Sequence, residues 1–402
     1  MPSDQFNGVW VTVNAPSALR TDAGKAEFDG TLHCQPPGLP HSLDMHLTER
    51  WALGSDGNSP TAAFTIADAA NYAAPWTTSL HFKRAPKGTG IQEDLCLERL
   101  KLVNKWERTT GWAQVPEGRA LAAMSNIGVD SRGHVWVADR CGPQMCTDSP
   151  LAPILEFDAN GKYLQSFGAG LFVAPHGIHI DRAGNIWVTD FRTAGGKGSQ
   201  ALKFRRDSKL LLSLGQKGTA GAAPGQFNVV ADVATTRDGT IYVADGHGAG
   251  TNERIVMYRK DGKYLGTWGK AGAAPGEFNG IHAIAIDQRD RVLVGERGGA
   301  RVQVFDKQGQ LLAEWKQFGA ISGLAIGAQD RLYVSGTDPT NVALQCIWVA
   351  DAHSGNILAH IPGTPNADGM GTTAPEDIAV DRAGNIYGPD IVTHNIVRYA
   401  PH

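Results

Sequence analysis

The sequence predicts an all-β protein: a six-bladed β-propeller, closed by a strand from the N-terminal side and preceded by a β-rich extension. Three observations lead there. One unit, in which an alternating apolar run meets a tight turn and a second alternating run, is written six times, at 127–139, 174–190, 233–245, 283–296, 323–336 and 377–390. Its turn positions, Asp130, Asp181, Thr236, Asp287, Gly327 and Asp381, follow the period of roughly 40 to 55 residues expected of four-stranded blades. Composition agrees, since 49 glycines and 21 prolines in 402 residues suit many short strands, and 42% hydrophobic content suits a large core.

Residues 1–98 do not follow the repeat. They hold Gly8-Val9-Trp10-Val11, a Pro-rich turn at 34–40 and a strand over 76–83, and are read as an extra β layer or wrapping arm beside a propeller at 99–402. His33, Cys34, His41 and His46 lie close together, but their spacing fits no closed zinc pattern, so turn or surface roles suit them better. Residues 100–111 align with the fourth strand at 264–272, whereas the last unit stops at a third strand, 396–400. The two ends therefore complete one blade and leave no open seam.

Within each unit the first two strands form a hairpin, as around Asp181-Arg182-Ala183-Gly184. Third and fourth strands follow, clearest at 255–258 and 264–269, with copies in 154–168, 201–215 and 302–315. Insertions at 140–153, 191–200, 246–253 and 337–345 are expected to leave the propeller as loops at one face, where function usually sits.

A net charge of -3 without a long Lys/Arg run gives no electrostatic footprint for nucleic acid or a membrane surface. No apolar run approaches the roughly 18 to 20 residues of a membrane helix. Met1-Pro2-Ser3-Asp4-Gln5 does not open a secretory leader, so the chain is either cytoplasmic or begins after a removed leader. Cys141 and Cys146 bracket a turn-rich loop that suits a small disulfide, and Cys34 and Cys96 frame the N-terminal region, with Cys346 left over. Two such bridges would imply an oxidising compartment, hence a periplasmic or secreted protein; five scattered reduced thiols are the other reading.

Five residues before each turn position stand Ser125, His176, Ala231, His282, Ser322 and Glu376. First strands line a propeller's central channel, so alternate blades bring His176, His282 and Glu376 towards one point at its mouth. Two imidazoles and a carboxylate suit zinc, iron or manganese and leave positions open for substrate. A single histidine there is more often a hydrogen-bonded lining residue, but three donors at one register with small residues between them are harder to reach by chance. Arg140, His247 and Arg297 lie just past the ends of second strands, around the same mouth. Arginines there hold a carboxylate, and His247 moves a proton; the alternative is that the arginines pair with the acids beside them. His179 belongs to the opposite side of its strand.

The hairpin signature resembles NHL repeats over about three quarters of the chain. Tyr72, Pro75-Trp76-Thr77 and Glu93 to Cys96 resemble a short segment of secreted bacterial proteins, which implies no activity. Pro175-His176-Gly177-Ile178, Asp245-Gly246, Pro275-Gly276-Glu277-Phe278 before His282, and Pro375-Glu376-Asp377-Ile378 resemble peptidyl-α-hydroxyglycine α-amidating lyase. That family is a six-bladed propeller with a three-histidine zinc site and a structural calcium, and it converts peptidyl-α-hydroxyglycine into a peptide amide and glyoxylate. The resemblance implies His176 and His282 as ligands, Arg140 and Arg297 as active-site arginines, and Asp377 beside the third ligand. Glu376 replaces the family's third histidine, and His247 replaces its tyrosine. The expected function is a metal-dependent, lyase-like reaction on a small carboxylate-bearing, α-hydroxyamide or peptide substrate. A hydrolase or oxidase on the same site, and a non-enzymatic propeller gripping a protein or glycan, are the alternatives.

Overall fold

At the turn positions, the aspartate side chain folds the hairpin tip. Asp181 Oδ1 accepts the backbone N–H groups of Ala183 at 2.9 Å and Asn185 at 3.0 Å, and Asp130, Asp287 and Asp381 repeat the pattern. These tips connect the first and second strands of the repeated units in a computed structural model. It describes residues 20–22, 25–30, 46–53, 60–67, 69, 73–81, 105–142, 145–365, 372–390 and 394–402. The chain divides into two units, Met1–Leu102 and Val103–His402.

In the first unit Arg20–Asp22, Lys25–Gly30, His46–Leu53, Pro60–Ala67 and Trp76–His81 form one antiparallel sheet in chain order. The expected strand at 76–83 is thus present over Trp76–His81, and residues 82 and 83 lie outside the described ones. Residues 8–11, 33–41, 72, 93–96 and 100–104 lie outside the described ones.

In the second unit the six-bladed propeller is present, and among the described residues its regular structure is all β apart from a short 3-10 turn at Ala328–Asp330. The innermost strands are Met124–Val129, Pro175–Ile180, Val230–Thr235, Ile281–Ile286, Ile321–Ile326 and Ala379–Val380. They neighbour one another in ring order, and the last returns to the first. The sixth blade is closed by its own C-terminal strand, Asn395–Pro401, pairing antiparallel with Trp106–Thr109. Trp106 is buried and donates its indole N–H to the Gly384 carbonyl at 3.0 Å, which fastens the seam.

The core lies between blades. Trp136, Trp187, Tyr242 and Tyr387, the second residues of four second strands, and Tyr333, the third of another, are all buried against neighbouring blades. Truncating an aromatic of this kind to alanine costs about 3–5 kcal/mol.

Two expected loop insertions are corrected. Residues 191–200 and 337–345 are largely strand: Ile186–Ala194 runs into Lys197–Phe204, and Arg331–Asp338 into Asn341–Asp351. The first hairpin can lengthen because Gly195 and Gly196, at φ 55° and 72°, supply the two left-handed residues of a tight turn. Residues 140–153 and 246–253 remain without strand, apart from 143 and 144, which are not described.

Candidate functional site

The register that aligns the candidate ligands has a structural cause. In blades one, three, four and five, the residue five before the turn is the extra one of a β-bulge between first and second strands. His282, for example, falls between the pairs Ile281↔Glu296 and Ala283↔Gly295. In blade two the interruption spans His176 and Gly177. A bulge re-aims a side chain out of the pleat. Gly177 is required by close approach, since a Cβ there would lie 2.5 Å from Asp232 Oδ1.

His176 and His282 are buried, with ring centroids 5.2 Å apart. Each has its Nδ1 on a backbone carbonyl, His176 on Ala231 at 2.8 Å and His282 on Ser322 at 2.5 Å. A carbonyl only accepts, so each Nδ1 carries the proton and each Nε2 presents a lone pair. Both Nε2 atoms are buried and have no hydrogen-bond partner. Burial, followed by neighbouring positive groups, pushes both imidazoles below their ordinary range, so they are neutral. Neutral imidazoles oriented by carbonyls, with orphaned Nε2 atoms, are the arrangement that metal-ligating histidines adopt.

His247 joins them. Its ring lies 4.7 Å from that of His282 and 5.3 Å from that of His176, and the ligand atoms of all three lie within 4.8 Å of one another. Burial first, then His282 and Arg297, hold it down at about 3. Glu376 approaches from one side, with Oε1 3.4 Å from His282 Nε2 and 2.9 Å from Arg297. Burial would raise its carboxyl, but the net shift is downward; with His282 neutral, the Arg297 guanidinium bonded to it is the group that keeps it ionised. With its proton on Nδ1, His282 leaves Nε2 an acceptor, so Glu376 is answered by Arg297 and not by His282.

The two arginines do not pair with the acids beside them. Asp139 takes Arg119 at 2.9 Å and the backbone N–H groups of Ala122 and Cys141, while Glu296 takes Arg301 at 2.7 Å. Arg297 instead crosses to Glu376 and to Ser322, at 3.1 Å. Arg140 has no ion pair among the described residues; burial pulls its affinity for a proton down, the charge of Glu376 offsets part of this, and the nearby Arg192 and Arg297 add to it. Arg140, Arg297, His247 and Glu376 line a cavity of about 180 Å³ with Phe191 and Arg192. Phe191 stacks on His176 at 4.7 Å and 14°, and the Arg192 guanidinium lies 5.6 Å from the Phe191 ring centre.

Phe191 and Arg192 were not legible as site residues, because 191–200 read as an insertion rather than as the strand that carries them. His179 stays outside the cluster, bonded through Nε2 to Thr235 at 2.8 Å. Cys141 and Cys146 form a disulfide, and Cys346 is buried. Cys34 and Cys96 lie outside the described residues. Among the described residues no helix is long and apolar enough to cross a membrane.

Fold and site together define a six-bladed propeller with a cluster of side chains at its channel mouth that could hold a metal ion, and several known proteins are similar to the chain. No protein-family model matches it. It is 28% identical over 308 residues to the peptidylglycine α-amidating monooxygenase of Rattus norvegicus, over 70% of this chain and 30% of that protein. It is 35% identical over 148 residues to a probable peptidyl-α-hydroxyglycine α-amidating lyase of Caenorhabditis elegans, over 36% of this chain and 40% of that one. It is 31% identical over 212 residues to human NHL repeat-containing protein 3, over 51% of this chain and 58% of that one. The chain thus spans less than a third of the rat protein's length. Among solved structures, a protein of unknown function from Bacteroides thetaiotaomicron aligns with a TM-score of 0.51 at 10% identity, over 97% of this chain and 99% of that one. That likeness concerns the fold alone.

Proposed function

We propose that the protein is a metal-dependent, lyase-like enzyme acting at the channel mouth on a small carboxylate-bearing or α-hydroxyamide substrate, free or at a peptide end. The observation that supports this most is the pair of buried, partnerless Nε2 atoms of His176 and His282. His176, His282 and His247 would hold the ion, and zinc suits three neutral nitrogens best. This departs from the expected third ligand, Glu376, because His247 comes within ligand distance of both other histidines while Glu376 is engaged by Arg297. A divalent ion bound there supplies Lewis acidity to a substrate oxygen.

The chain's own groups do the rest. Arg140 binds the carboxylate, and Glu376, kept ionised by Arg297, takes the proton of the substrate hydroxyl. The C–N bond breaks as that oxygen becomes a carbonyl, and the proton passes to the leaving nitrogen, giving an amide and an aldehyde without any oxidant. Deeper in the channel, Asp232 and Asp377 are buried and Asn126 bridges two strands; these carboxylates offer hard oxygen ligands for the structural calcium that the resemblance implies. The disulfide favours an oxidising compartment, periplasmic or extracellular.

The test is turnover of α-hydroxyhippurate by purified protein before and after chelation. Activity should vanish with the metal and return with zinc, and Glu376→Gln should keep the metal while losing at least about a hundredfold in rate. Turnover indifferent to chelation would refute the metal-dependent reading. Loss of metal in Glu376→Gln, as complete as in His282→Ala, would return the carboxylate to the ligand set.

A further inference from the structure

Three guanidinium groups face the cavity, Arg140, Arg192 and Arg297, against one carboxylate, Glu376. The lining therefore has an excess of two positive charges before any ion binds on the neutral histidines. Arg297 is committed to Glu376 and Ser322. Arg140 is half-buried, without an ion pair among the described residues, and Arg192 is exposed, with its guanidinium over Phe191 and no carboxylate within ion-pair distance among them.

Arg192 is not a stray surface charge. It rides on the strand Ile186–Ala194 beyond the point where the other short hairpins end, and Phe191, against which it lies, is itself stacked on His176. The extended hairpin thus holds a second cation over the same cavity that Arg140 serves from blade one. A monocarboxylate can answer Arg140; it leaves Arg192 facing a positive field with nothing opposite it. The cavity, about 180 Å³, is small, which suits a molecule of a few carbons.

We infer that the substrate is a small α-hydroxy compound bearing two anionic groups, one bound by Arg140 and the other by Arg192. This rests on reading the cavity as the substrate site. It adds a requirement that the amidating-lyase resemblance does not contain, since a peptidyl-α-hydroxyglycine brings one carboxylate to the reacting end. Arg192 becomes the residue that distinguishes a dianion from a monoanion.

The experiment is calorimetric titration of the purified, metal-containing protein with malate and with lactate, two α-hydroxy acids that differ in the second carboxylate. Malate should bind at least about tenfold more tightly, and its advantage should shrink as salt rises. Arg192→Ala should remove most of that advantage. Arg182→Ala, which deletes the same charge at the turn on the other end of the hairpin, should keep it. Equal affinities, an advantage that survives Arg192→Ala, or no saturable binding of malate would overturn the inference. A protein that turns over α-hydroxyhippurate but binds both acids alike refutes the dianion and leaves the lyase reading standing. One that binds malate through Arg192 but turns over neither α-hydroxyhippurate nor an α-hydroxyamide carrying a second carboxylate does the reverse.

Discussion

Asp190 shows what the acids at the ends of the second strands do. It lies on the strand that leads to Phe191, and its carboxylate accepts the backbone N–H groups of Val173 and, at 2.7 Å, Ala174, the segment that delivers His176. Asp139, Asp245 and Glu296 hold the corresponding segments of their blades. The others have an arginine partner, whereas burial, little relieved by those backbone bonds, pushes Asp190 from its ordinary 3.8 up to about 6. The folded chain therefore binds this proton more tightly than the unfolded chain, and stability falls as pH rises through that window. Urea midpoints of the protein and of Asp190→Asn, compared between about pH 4 and 7, should show the variant gaining by up to about 1.4 kcal/mol per pH unit and levelling off above about 6. Parallel curves would contradict this. The acids' position was legible in the sequence as a repeated strand end, but their service to the backbone was not, because the partner segment lies about seventeen residues upstream without a pattern of its own.

At the scale of the element, the loop at 246–253 makes the site more than two histidines. Glu253, buried, accepts the Gly248 N–H at 2.5 Å and the Ile281 N–H at 3.1 Å, so one carboxylate ties the loop of His247 to the strand that opens into His282. Thr251 completes the tie by accepting the His247 N–H at 2.9 Å. Removing a buried acceptor of this kind costs about 1–3 kcal/mol. Glu253→Ala should also loosen metal affinity by about 10–100-fold, with Glu253→Gln intermediate, as read by competition with a chromogenic chelator. Unchanged affinity in both would show that the loop holds itself. Period arguments found His176 and His282 because both stand near the start of a first strand, at one register of the repeat. They placed His247 only near the mouth, since a loop's path is set by ties such as Glu253, which leave no periodic trace. The extended hairpin at 186–204 was missed for a related reason: polar residues at 192–198 look like a loop until Gly195-Gly196 is seen as its turn.

For the whole molecule, the ring was the most legible feature, because six copies of one hairpin and a displaced fourth strand leave few other ways to close a sheet of blades. Closure is also what makes the site. His176, His247 and His282 belong to blades two, three and four, and Glu376 to blade six, so their convergence needs every blade between them and the seam at Trp106. The central claim is that this convergence is a metal centre. Elemental analysis of the purified protein beside His176→Ala and His282→Ala, each confirmed folded by its thermal transition, tests it most directly. The account predicts a stoichiometric divalent transition metal in the parent chain and its loss from both variants; undiminished metal in both, or a folded parent chain that takes up none when zinc is supplied, would contradict it.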